Sequence, residues 1–147
     1  MINQQQLDLL KQGVATTWNE WREEHPDMPI KLNGVDLSEA NLGEVNLAGA
    51  DLGQTDLSRA DLNNANLSKA LLAGANLSGS NLAGVDLSAA DLRGANLRYT
   101  DLKDANLAGT DLRGADLSEA RLDWATLEEA LITPEQLSNA RAGRESL

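Results

Sequence analysis

Leucine returns every five residues from Leu32 to Leu127 without a miss, and the stretch from Ile30 to Ile132 repeats one phrase around it. Ala50-Asp51-Leu52-Gly53-Gln54 and Ala95-Asn96-Leu97-Arg98-Tyr99 are examples. A single α-helix cannot use this period: at about 100° per residue, leucines five apart rotate by about 140° each time and scatter around the axis. A straight strand fails too, because its side chains alternate with period two and an odd step sends successive leucines to opposite faces. The pentad resolves the conflict internally. A small residue sits two before each leucine (Ala60 before Leu62, Ala105 before Leu107), and that pair shares one face of a short extended piece. The chain then has to turn a corner before the next pair can face the same interior.

The composition supplies that corner. Of the 12 glycines, eight stand two residues after a leucine: Gly34, Gly49, Gly74, Gly79, Gly84, Gly94, Gly109 and Gly114, with Asn64 at the same place. Type II turns need a residue with positive φ, which glycine adopts freely and asparagine tolerates better than most. Proline, which removes a ladder donor, is absent from Ile30 to Thr133; Pro26, Pro29 and Pro134 all lie outside.

These residues resemble the bacterial pentapeptide-repeat family, whose signature is A-(D/N)-L-x-x in tandem, over residues 30–132. The resemblance implies an all-β solenoid, a right-handed quadrilateral β-helix with four pentads per coil. The alanine and leucine positions face inward and the other three outward. Twenty central leucines, Leu32 to Leu127, then make five coils, a square rod about 24 Å long at roughly 4.8 Å between stacked strands. Ile30, Val35 and Val45 enlarge the inward position near the first coil, fitting a wider entrance. Thr55, Ser80, Thr100 and Thr110 turn hydroxyls inward, where they need partners; Ser80 and Thr100 are stacked on one face and are placed to bond each other or the backbone.

A short α-helical cap is expected at each end. In residues 1–29, Gln4 to about Glu24 reads as one amphipathic helix with Leu7, Leu10, Val14, Trp18 and Trp21 in its apolar stripe. Gly13 weakens it and Pro26 and Pro29 end it. The helix either covers the open first coil with its tryptophans or docks a partner through them, since a bare sheet end invites another molecule. His25, beside Pro26, is expected to be solvated. In residues 133–147, Thr133 as N-cap, Pro134 in the first turn and Gln136 three past the cap mark a short helix to about Ala140. A polar tail expected to lack order follows. Trp124, Leu131 and Leu137 either pack this helix onto the last coil or form a dimer contact; a homodimer through the C-terminal end is something the resemblance allows.

The formal charge of −11 divides into −3 for residues 1–30, −8 for 31–132 and 0 for the rest, which argues against binding nucleic acid or anionic membrane. The chain has no cysteine, hence no disulfide framework. No secretory signal is evident at the N-terminus, and no apolar run approaches the roughly 20 residues of a membrane span, so a soluble cytoplasmic protein is expected. Assigning every fourth pentad to one side makes the side of Leu52 neutral, those of Leu57 and Leu62 each −3, and that of Leu67 −2 and smooth. Leu71 replaces the usual Asp or Asn on the neutral side and should be exposed. Tyr99 and Trp124 are the aromatics outside the N-terminal helix.

Stacked carboxylates are the candidates for acid–base work. Asp91 and Asp111 should lie about 5 Å apart, near the separation of a retaining glycosidase. They stand on a flat wall beside Arg93 and Arg113, however, with no cavity to exclude water. No P-loop, zinc spacing or nucleophile elbow occurs, so the chain is read as non-enzymatic and without cofactor or metal. The leading expectation is a rigid rod presenting flat faces to an unknown protein partner, with Leu71, Tyr99, Trp124, Leu131, Trp18 and Trp21 as candidate contacts. The resemblance supplies an alternative, because certain relatives mimic B-DNA and modulate type II topoisomerases such as gyrase. Duplex DNA would present about 14 charges over the rod's length, against a net −8 here with one side neutral; those relatives also carry phenylalanine at many central positions, and this chain has none.

Overall fold

The computed structural model describes residues 3–141. Two helices, α1 (Gln4–Lys11) and α2 (Ala15–Glu24), precede the repeat and a third, α3 (Pro134–Asn139), follows it. Between them the backbone pairs in parallel at a spacing of 20 residues, one bridge at a time: Lys31 with Asp51, Asp36 with Asp56, Asn41 with Asp61, Asn46 with Asn66, and onward to Asp111 with Leu131. Four ladders follow, one for each side of a square. Side I carries residues 31, 51, 71, 91, 111 and 131; side II carries 36 to 116, side III 41 to 141, and side IV 46 to 126. Each extended piece is too short for a longer strand, so the rungs pair through single bridges, each held by two bonds, as in Leu57 N to Asn76 O at 2.7 Å and Asn76 N to Thr55 O at 2.9 Å.

The corners are type II turns throughout. Every repeat leucine carbonyl accepts from the amide three residues on, from Val35 N to Leu32 O at 3.3 Å through to Ala130 N to Leu127 O at 3.0 Å. The residue two after each leucine has positive φ at every one of these corners, but only eight are glycine. Twelve others carry side chains, among them Glu39 (φ 60), Arg59 (φ 57), Lys69 (φ 58), Tyr99 (φ 59) and Trp124 (φ 63). A Cβ in this region costs about 1–2 kcal/mol. None of the twelve is β-branched, the class for which the region is least accessible. The bridging pattern alone therefore enforces a conformation that glycine supplies at fewer than half the corners.

The outward Asp or Asn beside most of the leucines has a structural role that its position in the repeat does not announce. Its Oδ1 accepts the amide two residues on, as in Asp36 from Ser38 at 2.9 Å, Asn66 from Ser68 at 2.9 Å and Asp101 from Lys103 at 3.0 Å. These Asx turns tie down the amide that enters the corner. Where serine follows, its hydroxyl donates to the same oxygen, at 2.6 Å for Ser58 on Asp56 and 2.7 Å for Ser78 on Asn76. The requirement is for an acceptor and not for a charge, so Asp and Asn interchange.

Inside, the repeat leucines from Leu32 to Leu122 and the alanines or valines beside them form one continuous core. The inward hydroxyls bond backbone carbonyls and not one another: Ser80 Oγ to Leu77 O at 2.6 Å, Thr100 Oγ1 to Leu97 O at 2.8 Å, Thr55 Oγ1 to Leu32 O at 3.0 Å and Thr110 Oγ1 to Leu87 O at 2.8 Å. The last coil is different, with Leu127 and Ile132 only half-buried.

The N-terminal segment is two helices and not one. Gly13 sits at φ 72 and breaks the stripe, leaving Val14 as an exposed N-cap while Leu7, Leu10 and Trp18 enter the core. The first rung has no preceding rung to pair with, and side chains stand in for one. Gln6 is fully buried; its Oε1 accepts from Lys31 N at 3.0 Å and its Nε2 donates to Pro29 O at 2.8 Å. Asn19 does the same on side IV, accepting from Asn46 N at 2.8 Å and donating to Glu44 O at 3.0 Å, while the Trp18 indole donates to Asn46 O at 2.7 Å. Arg22 Nη2 donates to Ala48 O at 3.0 Å, and burial pulls the guanidinium pKa down.

At the other end, Thr133 and Gln136 form the anticipated capping box. The amide of Gln136 is used by that box, and its side-chain Nε2 donates to Ala115 O at 3.0 Å and Leu112 O at 2.6 Å. A side-chain amide thus replaces a ladder donor here as well. The chain rejoins side III at Arg141, whose amide reaches Ala120 O at 2.8 Å; the polar tail beyond lies outside the described residues.

Replacing Gln6 by leucine should lower stability by about 1–3 kcal/mol, because a buried amide and carbonyl lose their partners at once. Chemical denaturation read by circular dichroism checks this, with Gln4→Leu, on the exposed side of α1, near neutral.

Candidate interaction surface

Among the described residues, the exposed large apolar side chains in or after the repeat are Leu71, Tyr99, Trp124 and Leu131. Leu71 is 49% exposed in the middle of side I, between Asp51 and Asp91 of its ladder. Leu131 is also 49% exposed, at the end of that ladder beside Asp111. Tyr99, 62% exposed, projects from the corner between sides II and III, and Trp124, 57% exposed, from the corner between sides III and IV one rung later. The expectation that Trp124 and Leu131 pack α3 onto the last coil is therefore corrected. Leu137 does pack against the core, whereas Trp124 is held outward by its left-handed corner and Leu131 by its outward ladder position.

The two N-terminal tryptophans are placed otherwise. Trp18 is 1% exposed and committed to Asn46 O, so it offers no surface to a partner. Trp21 is half-buried, 5.3 Å from Trp18 and stacked on His25 at 4.7 Å. His25 is not the freely solvated residue expected, since its Nδ1 lies 2.8 Å from Trp21 O. Gln6, Asn19 and Gln136 carry bonds that the hydrophobic pattern does not reveal. Their one sequence signal is an amide-bearing residue inside a short helix beside the rod.

Side I pairs both of its arginines. Arg93 forks onto Asp91 through Nε at 2.8 Å and Nη2 at 2.6 Å, and Arg113 onto Asp111 at 2.9 and 2.6 Å. Hydrogen bonding from Arg113 pulls the Asp111 carboxyl down to about 2, against the smaller opposing effect of its own desolvation. Arg93 likewise holds Asp91 below the usual carboxylate range, and the hydroxyls of Ser38 and Ser118 do so for Asp36 and Asp116. A general acid needs the opposite displacement, so these carboxylates are suited to structure and not to proton donation. Beside α3 a groove of about 440 Å³ opens between Arg113, Gly114, Asp116, Thr133, Glu135 and Gln136.

A closed square of parallel single-bridge ladders around a leucine core defines a quadrilateral β-helix. The chain belongs to the pentapeptide-repeat family, whose model matches in eight copies over residues 30–59, 40–79, 60–98, 70–109 and 95–133. It is similar to alr5209, a pentapeptide repeat protein from Nostoc PCC 7120, at 36% identity over 72% of this chain and 83% of that one, with a TM-score of 0.46. A pentapeptide repeat protein (Rfr23) from the cyanobacterium Cyanothece 51142 is 28% identical over 86% of this chain and 98% of that one, TM-score 0.42. QnrB1, a plasmid-mediated fluoroquinolone resistance protein, is 16% identical over 78% and 72%, TM-score 0.35. No curated protein matches the chain.

A carboxylate with a depressed pKa stabilises the fold above its unfolded value near 3.8, and for Asp111 that contribution is lost as pH falls toward about 2. Thermal unfolding followed from pH 5 to pH 2 should show a falling midpoint, steepest below pH 4. Asp111→Asn keeps the acceptor for the Arg113 amide but removes this titration, so its midpoint should fall less over the same range.

Proposed function

We propose that this chain is a non-enzymatic interaction module: a right-handed square rod of about five coils, capped by helices at both ends, that presents flat faces to a protein partner in the cytoplasm. The observation that carries this reading is the exposed Leu71. It occupies a position where Asp or Asn gains an Asx bond, so the leucine forgoes stabilisation and places an apolar side chain in water on a wall where the Asp91 and Asp111 carboxylates are already paired with arginine. The C-terminal end, where Leu127 and Ile132 are half-buried beside exposed Leu131, is the surface offered to a second copy of the chain.

Mimicry of DNA is the alternative, and the bonding pattern weakens it. Most outward carboxylates serve as turn acceptors, a task asparagine performs equally at Asn66, Asn76 and Asn96, and side I is neutral, with three cations against three carboxylates. A DNA mimic needs charge at regular spacing on the docking face.

Affinity capture from the native cytoplasm tests both readings. Leu71→Asn should fold at least as stably as the parent, gaining about 0.5–1 kcal/mol from a new bond to the Ala73 amide, and should lose the captured partner. Untagged copies of the chain recovered on the bait, and lost with Leu131→Asp, would assign the C-terminal end to self-association. An unchanged partner list with Leu71→Asn counts against the leading reading, and inhibition of gyrase supercoiling at micromolar protein would favour mimicry.

A further inference from the structure

The wall of side III between Tyr99 and Trp124 has features that neither the core nor the corners require. Both aromatics occupy left-handed corners, at φ 59 and φ 63, where a side chain adds strain and glycine serves elsewhere in the same ladders. One rung below Tyr99 stands Gly79, and one rung below Asp104 stands Gly84, beside Ala83. Tyr99 therefore projects above a bare stretch of wall, and Trp124 stands over Asp104.

The charges on this wall are Asp101, Lys103 and Asp104 on one rung and Glu119, Arg121 and Asp123 on the next. Arg121 is tied to Asp123 at 3.3 Å. Among the described residues no cation lies within ion-pair distance of Asp101, Asp104 or Glu119; Lys103 shares their two rungs, and Arg141 stands one rung above Arg121. The ladder amides fix their positions: Tyr99 N to Ser118 O at 3.1 Å sets Glu119 one rung above Tyr99, and Asp104 N to Asp123 O at 2.9 Å sets Trp124 one rung above Asp104. Aromatics thus occupy one diagonal of the patch and acids the other. Tyr99 already stacks a guanidinium from its own chain, with Arg98 Cζ 5.7 Å from the ring centroid.

Resting on the interaction-module reading, we propose that this patch binds an arginine-bearing basic segment of a partner protein. One guanidinium stacks on Trp124 and forks onto Asp104, and a second lies between Tyr99 and Glu119. Planar guanidinium suits both aromatic stacking and bidentate carboxylate pairing, whereas ammonium is a point charge. A second copy of this acidic chain brings the wrong sign, and so does nucleic acid.

The test titrates the full chain with a hexapeptide of alternating arginine and glycine, and with its lysine counterpart, and follows the three tryptophan indole signals in 1H–15N spectra. The Trp124 indole should shift saturably while that of buried Trp18 stays fixed. The arginine peptide should bind about threefold or more tighter than the lysine peptide, and Trp124→Ala or Asp104→Asn should each weaken it by a similar factor. Asp56→Asn, a remote acid on side II, serves as the control for diffuse attraction. Equal binding of the two peptides, equal weakening by Asp56→Asn, or a silent Trp124 indole would overturn the proposal. If the indole is silent while Leu71→Asn still abolishes capture of the partner, the module reading stands and this site alone is lost.

Discussion

A left-handed residue two places after each leucine is what allows a period of five to close into a square. Without it the Ala and Leu of one pentad and those of the next would face opposite ways, and no shared interior could form. The conformation is held by two bonds at each corner from Gly34 to Gly109. The leucine carbonyl takes the amide three residues on, and the corner amide itself donates to the rung above, as Lys69 N does to Ser88 O at 2.9 Å. Burial of one leucine stabilises by about 1.5–3 kcal/mol, more than the roughly 1–2 kcal/mol that a Cβ costs at the corner. That margin explains why Glu, Arg, Lys, Tyr and Trp can occupy corners at all, and why the β-branched residues do not.

The same economy governs the outside of the rod. An Asp or Asn beside most of the leucines supplies an acceptor to an amide that would otherwise point to water, so much of the acidic character is a by-product of turn chemistry. Function is better sought where the rule is broken. Leu71, Arg121, Thr126 and Leu131 stand where an Asx acceptor is expected, and Tyr99 and Trp124 fill corners with aromatic bulk. All six residues lie on the outside, where the core does not select them.

The rod itself is legible in the sequence because its period, its small inward residues and its corner residues all report the same geometry. Residue Gly13 is legible only in part. A glycine inside an amphipathic stripe signals weakening, but the full break depends on α1 and α2 each meeting the first rung at a different side. The capping box of α3 could be read from Thr133, Pro134 and Gln136, whereas the outward placement of Trp124 and Leu131 could not, since apolar character suggests packing until the ladder position is known. The amides of Gln6 and Asn19 were invisible for a related reason. Their partners are ladder groups some 25 residues away, and only the folded rod shows which rung lacks a neighbour.

The square stands or falls on its corners. Lys69 is exposed, lies at φ 58 and has no side-chain bond to lose, so urea unfolding of Lys69→Val against Lys69→Gly isolates the backbone term. The valine variant should lose about 1–2 kcal/mol relative to the parent, with the glycine variant at least as stable as the parent. A valine variant as stable as the glycine one would contradict a left-handed corner and, with it, the square.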